Sequence, residues 1–237
     1  MIIIKSSKKT VFKNVGLVLI VLVGLVLLFN KPIGNALISY RQGQYSASKM
    51  STKQLKANQS KDTGSYDFDS VSTISTNQIL QAQFSEANLS VVGYIAIPDL
   101  NMDLPIFNGV GGKAMLYGAG TMKENQTMGE GNYALASHHV FGGSGSEKLL
   151  FSPLVNATEG MKIYLTDKES VYTYTITNIS IVTPEHVEVI NDTEGITEIT
   201  LITCTDAAAT QRTVVKGQLT KTTTWKKASK AVKNAFK

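Results

Sequence analysis

Residues 171–182 read Val-Tyr-Thr-Tyr-Thr-Ile-Thr-Asn-Ile-Ser-Ile-Val, and their reading decides the fold. Val171, Thr173, Thr175 and Thr177 alternate with Tyr172, Tyr174 and Ile176, the two-residue period of a strand with one buried face. Working outward, similar runs bounded by turn residues recur at 91–98, Met102–Phe107, 132–138, 161–166, Glu198–Cys204 and 213–219. Turn-rich segments at 108–112 and 141–146 separate some of them. This series of seven short strands predicts an all-β domain, a closed barrel or a sandwich.

The chain has 237 residues, 43% hydrophobic and 17% charged, which suits one core domain with appendages and excludes a disordered chain. The formal charge of +5 has an address: the first 31 residues hold Lys5, Lys8, Lys9, Lys13 and Lys31 and no acid, so the remainder is balanced. A neutral body without a basic stripe lacks the footprint of a nucleic-acid binder. Residues 15–29 are apolar throughout. With lysines in front, this predicts a cytoplasmic tail (1–14) and a single-pass membrane anchor (15–31), with everything after it outside the cell. A cleaved signal peptide is the rival, Gly34 and Ala36 being its small residues. Residues 32–86, rich in Ser, Gln, Asn, Thr and Lys, read as an extracytoplasmic spacer with a short helix at 77–87. The domain follows at 87–221. In the basic tail, 222–237, the spacing of Trp225, Ala228, Val232 and Phe236 predicts a short helix packed on the domain.

The single cysteine, Cys204, excludes an intrachain disulfide and any multi-cysteine metal site. An unpaired thiol outside the cytoplasm is exposed to oxidation, so it calls for a function. It ends a β-branched strand on whose one face Thr200, Ile202 and Cys204 alternate. A nucleophilic thiol needs a base, and the histidines are His138, His139 and His186. His138 shares its strand face with Ala134 and Ala136, which leave room for a substrate, so it is the favoured base. His139 points the other way and takes an orienting or structural role. His186 reads as a surface-loop residue. Of two arginines, Arg41 lies in the spacer and Arg212 follows Cys204 by eight residues. If 205–211 is a hairpin loop, Arg212 opens the next strand and brings beside the thiol a fork of donors suited to an oxyanion.

Thr200-Leu201-Ile202-Thr203-Cys204, with Ala136-Ser137-His138 upstream and Arg212 downstream, resembles the sortases. Gly93-Tyr94-Ile95-Ala96-Ile97-Pro98, Tyr117-Gly118-Ala119-Gly120-Thr121-Met122 and Phe151-Ser152-Pro153-Leu154 extend the resemblance, which is to class A sortases of the streptococcal or lactic-acid bacterial type. It implies a closed eight-stranded β-barrel with short helices, anchored in the cell membrane of a Gram-positive bacterium and facing the cell wall. It implies a transpeptidase acting on secreted proteins with C-terminal LPXTG-type sorting signals. Cys204 would form a thioester at the Thr–Gly bond, His138 would move the proton, and Arg212 would bind the oxyanion or substrate carbonyls. Ala136, Ser137, Ile202 and Thr203 would line the substrate site, Thr203 also assisting near the oxyanion. The acyl group would pass to an amine of lipid II or peptidoglycan. Calcium-dependent relatives carry acidic clusters in loops by the groove, whereas residues 108–125 offer only Glu124. Neither calcium nor any other metal or cofactor is therefore expected.

Other readings use the same residues. A cysteine peptidase would share the thioester and release it to water. An anchored binding module would leave Cys204 inert. A metal site of Cys204, His138 and His139 is the weakest, since adjacent histidines on a strand diverge and no fourth ligand is evident.

Overall fold

The alternating runs pair into one sheet in the computed structural model, which describes residues 8–60, 64–67, 78–79, 81 and 89–236. The strands are β1 (Val91–Ile97), β2 (Met102–Phe107), β3 (Ala119–Thr121), β4 (Asn132–Ala136), β5 (Lys162–Thr166), β6 (Ser170–Val182), β7 (Glu198–Cys204) and β8 (Arg212–Thr224). They close into a barrel in the order β1-β2-β3-β4-β7-β8-β6-β5. Of the eight, β3 escapes a reading by alternation, because it has only three residues. Its Gly120 pairs with Ala136, and a Cβ there would strike the Gly109 carbonyl oxygen. β8 runs past residue 219 because the long β6 pairs with it as far as Ser170↔Thr224. Hydrophobicity does not mark that polar end.

Strict alternation in β6 also breaks. Val171 and Tyr174, of opposite parity, are both buried; the register against β8 shifts between Thr173 and Tyr174, where Thr220 of β8 is the extra residue. Tyr94, Phe107, Ile95, Leu135 and Tyr174 belong to one continuous core.

The apolar run expected to anchor the chain within 15–31 lies, as far as Leu28, in helix α1 (Lys8–Leu28). Its 21 residues span ~32 Å, enough to cross a bilayer. It starts seven residues before the apolar run of 15–29. The helical ladder passes Phe29 on both sides, Phe29 N–H donating to Leu25 and Ile33 N–H to Phe29. Helix α2 (Asn30–Gln44) follows at once.

The spacer reading of 32–86 does not hold for residues 32–59. α2, a 3-10 turn (Ala47–Lys49) and α3 (Thr52–Gln59) pack on the barrel, burying Ile38, Ala47 and Leu55 in its core cluster. Side-chain amides complete the seam: Asn58 donates to Val91 O at 3.0 Å and Gln42 to Asp103 O at 3.0 Å. Ser51 and Gln54 form a reciprocal capping box on α3. Within the helix expected at 77–87, Gln78, Ile79 and Gln81 are helical, and the rest lies outside the described residues. Helix α4 (Gly112–Tyr117) follows β2. In the basic tail, a 3-10 turn (Trp225–Lys227) and α5 (Lys230–Asn234) bring Phe236 against Trp225 at 5.9 Å, with Phe236 buried.

Candidate active site

β7 lies between a parallel neighbour and an antiparallel one, and this arrangement assembles the site. On one side β4 runs parallel in the register Ala136↔Ile202. The pairing continues one step further, Ser137 N–H donating to Ile202 O at 3.2 Å. His138 thus leaves β4 two residues on, level with Cys204 and of the same parity. On the other side β8 runs antiparallel, with Cys204 directly opposite Arg212. Side chains in register share a face of the sheet. Imidazole, thiol and guanidinium therefore sit at the ends of three adjacent strands, ~4.8 Å apart from one backbone to the next.

Thr203 and Ser137 hold this register. Thr203 Oγ1 donates to Ser137 O at 2.9 Å, and Ser137 Oγ donates to Gly118 O at 2.6 Å. Both residues are buried. Each hydroxyl proton is thus given to a backbone carbonyl. The staple spans β7 and the β4 exit, one residue before the thiol and one before the imidazole.

The 205–211 loop is held closed by Thr205 N–H donating to Gln211 O at 3.0 Å, and Asp206 accepts from the backbone of Ala208 at 2.8 Å and of Thr210 at 3.3 Å. Arg212 Nη1 donates to Ala209 O at 2.8 Å and Gln211 O at 3.2 Å, which steadies the guanidinium and leaves Nη2 and Nε for a ligand. His139 Nδ1 lies 3.1 Å from the Cys204 carbonyl oxygen, and its ring stacks on Phe141 at 4.0 Å. The bond requires Nδ1 to carry the proton and donate. His139 thus braces the Cys204 backbone.

Electrostatics set the resting protonation. Burial pushes the imidazole of His138 down to about 4, and among the described residues no carboxylate holds its ring. Burial likewise pushes the Cys204 thiol up, opposed by the Arg212 charge and reinforced by Asp206. Desolvation disfavours both charged forms, so at neutral pH the pair rests as thiol and neutral imidazole.

A groove of about 390 Å³ opens on the three groups. Ala136, Ser137, His138, Ile202, Thr203, Cys204 and Arg212 all line it. Its far wall comes from Val182 at the end of β6 and from Pro184, Val187 and Ile190 in the connection from β6 to β7. Sequence reasoning passed over that wall, although an apolar cluster in a polar loop was its signal. His186 stands exposed at the rim, Nδ1 2.7 Å from Glu188 Oε1. Asn132 anchors the wall, donating to Val189 O at 3.2 Å and Asn191 O at 3.1 Å while accepting from Thr200 at 2.8 Å.

Comparisons with known proteins bear on the family and the fold. The family model "Sortase domain" matches residues 95–220. Sortase A of Streptococcus agalactiae is 57% identical over 220 residues, 92% of this chain and 89% of that protein. Sortase A of Listeria monocytogenes is 36% identical over 92% of this chain and 95% of its own length. The crystal structure of the Listeria enzyme superposes with a TM-score of 0.56 at 40% identity, covering 62% of this chain and 96% of that one. A barrel closed in this order, a family match over more than half the chain and a relative alike along nearly its whole length lead to one conclusion: the chain belongs to the sortase family of transpeptidases, in its class A.

Proposed function

We propose that this sortase cleaves LPXTG-type sorting signals between Thr and Gly and transfers the new carboxyl end to an amine of a peptidoglycan precursor, lipid II. The observation that carries the reading is the placement of His138, Cys204 and Arg212 on three adjacent strands at one groove. Cys204 passes its proton to His138 and attacks the Thr carbonyl. The S–C bond forms, and Arg212 donors meet the charge gathering on the carbonyl oxygen. As the C–N bond breaks, imidazolium returns the proton to the leaving Gly amine. The incoming amine then attacks the thioester, His138 takes its proton, and the thiolate departs and is reprotonated. No net proton is gained or lost.

The apolar helix α1 supports membrane anchoring with the basic end in the cytoplasm and the barrel outside. No metal step is part of the proposal, so excess chelator is expected to leave the rate unchanged.

The test is mass spectrometry of the full chain mixed with an LPXTG peptide and then with an amine. An acyl adduct ending in Thr on Cys204, discharged by the amine, is expected. A Cys204→Ala protein that still joins the two would end the nucleophile assignment. Arg212→Ala should slow cleavage by about 10²–10³, as loss of an oxyanion donor does.

A further inference from the structure

A second cavity of about 240 Å³ reaches the same reacting groups. It shares His138 and Cys204 with the peptide groove and no other lining residue. One wall is the loop after His138, represented by His139, Phe141 and Gly142. The other is the first turns of α2, with Asn30, Lys31 and Asn35. These walls are joined: Asn35 Nδ2 donates to Ser144 O at 3.2 Å, and Asn35 is buried. Gly143, at φ +82°, lets the loop approach this closely, for a Cβ there would lie 2.9 Å from Lys31 Cβ. Lys31 itself is exposed, and no carboxylate among the described residues pairs with it.

A transpeptidase must admit its two substrates in turn. Once the thioester forms, the acyl chain fills the groove beside Arg212. The amine must then reach the same carbon from the side by which the leaving amine departed, because His138 serves both. Microscopic reversibility assigns both amines to one entrance. The second cavity meets that requirement, and its outer wall begins at Asn30, two residues beyond the end of the membrane-length helix.

We infer that this cavity is the amine entrance and that α2, through Lys31 and Asn35, presents a membrane-tethered acceptor with an anionic headgroup to the thioester. The inference rests on the transpeptidase reading above. Lys31 supplies the charge that gathers such a headgroup at the mouth, and Asn35 fixes the loop that forms the opposite wall. Both are positioning residues. Their influence falls on the partition of the thioester between amine and water.

The experiment uses the full chain in phosphatidylglycerol vesicles with an LPXTG peptide. One arm offers soluble triglycine, and the other a phospholipid bearing a glycine amine on its phosphate headgroup. The ratio of joined to hydrolysed peptide is read in each. Lys31→Ala should lower the ratio for the lipid amine about fivefold and leave the soluble-amine ratio within about twofold, and Lys31→Arg should restore it. Asn35→Ala should lower both ratios, since it loosens the entrance itself. An unchanged lipid-amine ratio in Lys31→Ala, or an equal fall in both arms, overturns the assignment to α2. Lys31 is exposed, so its variants test the idea even if Asn35→Ala fails to fold. Wild-type protein that joins the peptide to neither amine removes the transpeptidase reading and this inference with it.

Discussion

Cys204 and His138 each hold a protonation state opposite to the one the proposed reaction uses. The thiol is raised by burial and the imidazole lowered by it, so the nucleophilic pair is a minor tautomer of a neutral resting pair. kcat/KM for peptide cleavage should be flat through neutral pH. It should fall on the acid side only as His138 takes a second proton, well below the ordinary imidazole range, and on the alkaline side above the ordinary thiol range. Kinetics alone would fit an ion pair equally well. The thiolate's ultraviolet absorbance separates the two, and it should appear only on the alkaline limb. Absorbance already present at pH 6 would mean that Arg212 outweighs burial. Cys204, His138 and Arg212 were legible because rarity singled them out and β-branched runs marked strand ends. The roles of Ser137 and Thr203 were not, since a hydroxyl's partner is a carbonyl on another strand.

At the scale of elements, the helices before the barrel were the least legible part. α2 buries only Gly34, Asn35 and Ile38, and α3 only Leu55. So narrow an apolar stripe is lost in a polar composition, and much of the adhesion is side-chain amide to backbone carbonyl, which hydropathy cannot register. Lys168 Nζ, donating to Ala47 O at 2.8 Å and Met50 O at 2.6 Å, belongs to the same polar seam. Leu55→Ala discriminates between the two readings of this segment. A buried leucine should cost about 2–4 kcal/mol, measured by urea unfolding of the chain in detergent, whereas a leucine in a free spacer would cost nothing measurable. β3 shows the converse: a strand of three residues is set by its neighbours and has no period of its own.

For the molecule as a whole, placing a neutral histidine at the mouth of a barrel has a consequence for acid stability. The folded pKa of about 4 lies below the unfolded value of about 6.5. The unfolded chain therefore binds more protons between those limits, and the contribution present above pH 6.5 is lost as pH falls through 4. The full loss is about 3 kcal/mol. Thermal melts at pH 7.5 and 4.5 should show a larger drop for wild type than for His138→Gln, and equal drops would place the imidazole in water. The barrel class and most of its strands could be read from periodicity. Closure could not, because it depends on which edges meet.

The parallel junction of β4 with β7 has a further effect, on when the enzyme comes into being. Everything from Ser137 to Thr197 must be made before β4 finds its partner, and β8 must follow before the ring is sealed. Contacts so distant along the chain form late. A copy still being made carries the histidine without the sulfur, and its site stays incomplete until the last strand has emerged.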